Sequence, residues 1–114
     1  LTSDPQRYNR IINLVRKHPE IRLWGVTTSF AKAVNKRFKL MRSKNWAEKI
    51  KLDILIINSL DDSVVDPSKT RKMSDRIQNS KILDFKGCMH EIFMEKDLHR
   101  TTMWKGIDNF LINI

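Results

Sequence analysis

The chain has 114 residues and carries 22 Lys plus Arg against 13 Asp plus Glu, a formal charge of +9, which suits one domain or a piece of one and raises anionic lipid or nucleic acid as partner. A single Cys88 excludes an internal disulfide and a multi-cysteine metal site, which fits a reducing compartment. No apolar run approaches the roughly 20 residues that cross a bilayer, and an N-terminus with Asp4, Arg7 and Arg10 lacks signal-peptide character, so a cytoplasmic chain, soluble or peripheral to membrane, is expected.

The first segment predicts a helix over about residues 5 to 17. Asp4 before Pro5 is a helix start, because a carboxylate caps free amide donors and proline fits the first turn. Tyr8, Ile11, Ile12 and Val15 then follow at the spacing of one buried helical face. His18 before Pro19 closes it, since the residue before proline is pushed away from helix. After a short connection through Ile21, Trp24 and Gly25, Thr27 and Thr28 cap a second helix whose Phe30, Val34, Phe38 and Met41 share a face. Its other face holds Lys32, Lys36, Arg37, Lys39, Arg42 and Lys44 with no acid among them. Such a run serves solubility first and anionic lipid second. Nucleic acid is not expected as partner, because Phe38 is the only aromatic residue among residues 32 to 44 and no named reading motif is present.

The composition shifts near residue 45, and the pattern changes at about residue 52. Residues 52 to 58, Leu-Asp-Ile-Leu-Ile-Ile-Asn, suit a strand buried on both faces, and the polar loop over 59 to 66 ends at Asp66-Pro67, a second cap-and-proline helix start, with Met73 and Ile77 inward. Residues 81 to 85 make a second strand, residues 86 to 91 a loop, and a last helix carries Leu98, Trp104, Ile107, Leu111 and Ile114 on one stripe. Strands joined by a crossover helix lie parallel, and such a sheet needs more strands and helices than this chain supplies. A part of a larger α/β fold is therefore expected.

Functional groups of open parallel sheets gather beyond the carboxyl ends of the strands. The first such loop holds Asp61, Asp62 and Asp66; the second holds Cys88 and His90. A carboxylate and an imidazole brought together there fit the acid and base of a Ser-His-Asp triad, in the order in which α/β-hydrolases carry them. Cys88 is a weak nucleophile candidate, and His18 and His99 lack a nearby strand end. The three glycines, Gly25, Gly87 and Gly106, belong to no Gly-x-Ser-x-Gly, so the nucleophile and its oxyanion donors are not found in this sequence.

These residues carry a family resemblance. The stretch Ile54-Leu55-Ile56-Ile57-Asn58-Ser59-Leu60-Asp61-Asp62-Ser63-Val64-Val65-Asp66 resembles the acid-bearing strand and loop of monoacylglycerol lipases and lysophospholipases of the L2 type, hydrolases of the serine aminopeptidase S33 kind. Lys86-Gly87-Cys88-Met89-His90-Glu91-Ile92 is similar to their histidine loop, continued by Glu95-Lys96-Asp97 and Arg100. Leu1-Thr2-Ser3-Asp4, Arg7-Tyr8 and Pro19-Glu20-Ile21-Arg22 resemble the end of the lid region in the lysophospholipase branch. The resemblance implies the C-terminal part of an α/β-hydrolase fold, two parallel strands with flanking helices, with residues 1–45 as the end of a lid and 46–114 as core. It implies Asp62 and His90 as catalytic residues, since the acid of the family stands four residues before the position that opens the next helix; Asp61 is the alternative acid.

The expected activity is hydrolysis of lysophospholipid or monoacylglycerol esters through an acyl-serine, with no cofactor and no metal. The chain alone is expected to be inactive, and an N-terminal hydrolase fragment is an expected partner. A non-catalytic product of a split or decayed gene, and a basic module on anionic lipid surfaces, stand as alternatives.

Overall fold

The structure, a computed structural model, describes residues 2–114; Leu1, which opens the expected lid unit, lies outside them. Local capping sets the first two helices. Asp4 Oδ1 accepts from the amides of Gln6 at 2.9 Å and Arg7 at 3.1 Å, and Pro5 takes the first position of α1, Pro5–Lys17. The helix stops at His18, and Pro19–Ile21 forms a single 3-10 turn. After an irregular connector, Thr27 Oγ1 accepts from Phe30 N at 3.2 Å and α2 runs over Thr28–Arg42.

The apolar faces of these helices are more open than their spacing predicts. Tyr8, Ile11, Phe30 and Phe38 are exposed, while Ile12, Val15, Val34 and Met41 are half-buried. Periodicity reports that a face wants cover, not that cover is present. Here α1 faces the rest of the chain across a cleft of about 450 Å³ lined by Arg7, Arg10, Ile11, Leu14, Phe93, Met94 and Arg100.

The α/β layer follows as β1 (Ile54–Ser59), α3 (Pro67–Ser74), β2 (Ser80–Phe85) and α4 (Asp97–Ile112). The strands pair in parallel, with Ile54 opposite Ser80 and Ser59 opposite Phe85. The ladder opens with Ile54 N donating to Asn79 O at 3.0 Å, so β1 starts two residues later than the aliphatic run and Leu52 stays 75% exposed. Burial on both faces is not reached either: only Asn58, Ser59 and Phe85 are buried, because two strands leave each with an uncovered edge. Asp66 Oδ1 accepts from Ser68 N at 3.0 Å to start α3; Ile77 is buried, but in the turn after that helix.

The last helix turns a different face inward from the expected one. Leu98, Trp104, Leu111 and Ile114 are exposed, and the covered positions are His99, Arg100, Met103, Gly106, Ile107 and Phe110, of which Ile107 alone belongs to the expected stripe. Gly106 is the reason: a Cβ there would lie 2.3 Å from Leu83 Cδ1, so the helix approaches β2 on its glycine side. Phe85, Cys88, Ile92 and Met103 form the core, with Ile57, Leu83 and Ile107 against it. The radius of gyration is 16.6 Å, against about 13 Å for a closed domain of this length. The chain thus has the α/β architecture of a part of a larger sheet.

Candidate active site

Parallel pairing brings the carboxyl ends of β1 and β2 side by side, and Leu60 N donates to Phe85 O at 2.8 Å to carry the pairing one residue further. The loops diverge from that point, and side chains from the end of β1, from the first loop and from Glu95 hold the second. Gly87, at a φ of 77° that favours glycine, gives its amide to Asp61 Oδ2 at 2.6 Å. Ser59 Oγ donates to the Cys88 carbonyl. Met89 N donates to Glu95 Oε1 at 2.9 Å, and His90 Nδ1 lies 2.8 Å from Asp62 Oδ2. Four consecutive residues are each fastened by a different side chain.

Asp62 is itself held by its loop, Oδ1 accepting from Val64 N at 2.7 Å and Val65 N at 3.1 Å. Burial pushes its carboxyl up, but the hydrogen bonds from His90, Val64 and Val65 outweigh burial and hold it below the ordinary carboxylate range. An ionised carboxylate only accepts, so the shared proton of a neutral His90 sits on Nδ1 and Nε2 keeps its lone pair. The Asp62 side chain is 5% exposed and that of His90 36%, which shields the carboxylate and opens the imidazole to a reacting group.

The aspartates of the loop divide their tasks. Asp61 meets Gly87 and not the imidazole. Asp66 caps α3, and the hydroxyl of Ser68 and the ammonium of Lys69 draw its carboxyl down to about 2. The other histidines lie apart from this dyad. His18 contacts Glu20 at 3.1 Å on the surface. His99, expected to be remote from any strand end, has its ring near Gly87, within 4.0 Å of where a Cβ would stand.

Burial pushes the Cys88 thiol up to about 11, with the charges of Glu95 and Asp61 adding to it. A buried thiol of that kind is not ionised near neutrality. Iodoacetamide at pH 8 will therefore leave the native chain unmodified and alkylate it in urea; labelling at equal rates in both states would contradict a packed Cys88.

Glu95 enters the sequence pattern only through the family resemblance, and its pairing with Met89 and Ser3 carries no local signal. Among the described residues no group of three or more His, Cys, Asp or Glu side chains gathers in metal-binding geometry. Among the described residues no helix is long and apolar enough to cross a membrane.

A family model described as serine aminopeptidase, S33, matches residues 1–97. No curated protein matches the chain. Among solved structures the chain is similar to the monoacylglycerol lipase of Paleococcus ferrophilus, with a TM-score of 0.78 at 19% identity, covering 100% of this chain and 42% of that one. The chain therefore spans less than half of that lipase, and the likeness is one of fold.

Proposed function

The chain belongs to the serine aminopeptidase S33 family of α/β-hydrolases, and on that premise we propose that it is the acid- and histidine-bearing part of a carboxylic-ester hydrolase acting on a lysophospholipid or monoacylglycerol. The supporting observation is the 2.8 Å contact of His90 Nδ1 with Asp62 beyond adjacent parallel strand ends. In this reading His90 Nε2 takes the proton of a serine hydroxyl as its oxygen bonds the ester carbonyl carbon. The same nitrogen then protonates the departing alcohol oxygen as the ester bond breaks. Water, activated by His90 in turn, releases the acid from the acyl-serine. Asp62 holds the ring and offsets its positive charge. Residues 1–45 form the end of a lid over the acyl chain.

The serine and its oxyanion donors belong to an N-terminal hydrolase piece, because no Gly-x-Ser-x-Gly occurs in the sequence. Two measurements test the reading. A serine-directed phosphonate will not label the isolated chain, and mixing it with a polypeptide that carries the strand, Gly-x-Ser-x-Gly and helix of a hydrolase will yield esterase activity. Labelling of the isolated chain would sink the missing nucleophile, while a mixture that associates without activity leaves a non-catalytic product of a split or decayed gene.

A second reading, compatible with a cytoplasmic location, is peripheral contact with anionic membrane. Residues 21–47 contain Arg22, Lys32, Lys36, Arg37, Lys39, Arg42 and Lys44 and no acid. Beside this cationic run Leu23 is 91% and Trp24 83% exposed, with the Arg22 guanidinium 4.3 Å from the Trp24 ring centroid. Basic residues near an anionic bilayer contribute about 1 kcal/mol each, and an interfacial tryptophan adds apolar contact. In sedimentation the chain will follow anionic vesicles at low salt and leave them at high salt, and Lys36→Glu with Arg37→Glu will weaken the binding. Binding that ignores lipid charge and salt would contradict this.

A further inference from the structure

We propose that Glu95 is a positioning residue for the His90 imidazole, and that through it the placement of the ring depends on the segment leading into α1. The inference rests on the reading of Asp62 and His90 as acid and base. Of the four side chains that fasten residues 87 to 90, Ser59, Asp61 and Asp62 belong to the neighbouring strand end. Glu95 does not. It is 0% exposed, and its carboxylate accepts from Met89 N at 2.9 Å, from Ser3 N at 2.7 Å and from Ser3 Oγ at 2.5 Å. Ser3 is 92 residues away in the chain.

A buried carboxylate cannot leave its donors without a large cost, so Ser3 and Met89 are held to one group. Further bonds fasten the same junction. Thr2 Oγ1 donates to Met94 O at 2.7 Å, and the Arg7 guanidinium reaches Glu95 O at 2.8 Å, Asp4 at 2.6 Å and Asp97 at 2.6 Å. If residues 2 to 7 move away, Glu95 loses Ser3 from both oxygens, and the anchor next to His90 is freed to move with it. The segment that opens α1 therefore acts on the base through one buried acid, while the hydrogen bond to the ring itself comes from Asp62.

The test is a nuclear magnetic resonance measurement on the full chain, ¹⁵N-labelled, reading solvent exchange of the His90 Nδ1 proton that Asp62 shelters. Glu95→Gln and Ser3→Ala will speed that exchange about tenfold, the order expected for loss of one strong hydrogen bond. Amide signals of β1, α3 and α4 will stay in place, which a general loosening of the fold would not allow. Asp62→Ala serves as the separate check on the dyad and will abolish the protected signal. Wild-type exchange in Ser3→Ala and Glu95→Gln, with the signal lost in Asp62→Ala, overturns the positioning role and leaves the dyad standing. A protected signal that survives Asp62→Ala counts against the dyad itself. Should Glu95→Gln unfold, Ser3→Ala decides alone, since it removes a single hydroxyl donor.

Discussion

Asp62→Asn will lower the turnover of the hydrolase reconstituted with its nucleophile-bearing piece by about ten-thousandfold, the order seen when the acid of a triad becomes an amide. The physical cause is the tautomer. Ionised Asp62 accepts from Nδ1, which leaves the Nε2 lone pair toward the reacting side. An asparagine held by the Val64 and Val65 amides through its oxygen turns its NH2 toward Nδ1, which must then accept, so the ring proton moves to Nε2 and the base is lost. The shape of the loop is retained, so the loss falls on kcat more than on KM. Asp61→Asn is the discriminating partner. Its amide oxygen still accepts from Gly87 N, and the imidazole keeps its carboxylate, so turnover will fall by less than about tenfold. Kinetics of the two variants in one assay check the assignment; a larger loss for Asp61→Asn would exchange their roles.

The features legible in the sequence are those whose cause lies within a few residues. Asp4, Thr27 and Asp66 cap helices because a side-chain oxygen two or three residues before a free amide reaches it whatever surrounds them. The parallel strands follow from a strand, a short helix and a second strand, and their common carboxyl edge brings the loop of Asp62 to that of His90. Which of the three aspartates turns to the ring was less legible, because it depends on loop direction; the structure gives Asp61 to Gly87 and Asp66 to α3. Burial was the least legible. The stripe from Leu98 to Ile114 has helical spacing, yet Gly106 decides which side meets Leu83. The faces of α1 and α2 show the same limit, since an apolar period records a need for cover that this length of chain does not meet. The contact between Ser3 and Glu95 has no local cause at all.

That contact also carries a large expected effect on stability. Glu95→Ala removes the acceptor for Ser3 N, Ser3 Oγ and Met89 N together, and Glu95 itself is fully buried while the donors are half-buried. Losing three bonds to a charged acceptor and leaving their half-buried donors unpaired outweighs the relief of the carboxylate's own desolvation, and the net loss at pH 7 is about 3 kcal/mol. For a chain of this length that corresponds to a fall in Tm of roughly 10 °C. The pH dependence gives the sign. Burial pushes the Glu95 carboxyl up, but the hydrogen bonds from Ser3, Met89 and Lys96 win and hold it below its ordinary value of 4.5. A depressed carboxyl stabilises the fold fully above its unfolded value and loses that contribution as pH falls through the folded one. The gap between wild type and Glu95→Ala will thus be widest near neutrality and will narrow below pH 4.5. Urea titrations of both chains from pH 7 downward measure it. A gap that is absent at pH 7, or that widens in acid, would mean that the carboxylate is not the group that binds the start of the chain to the loop of His90.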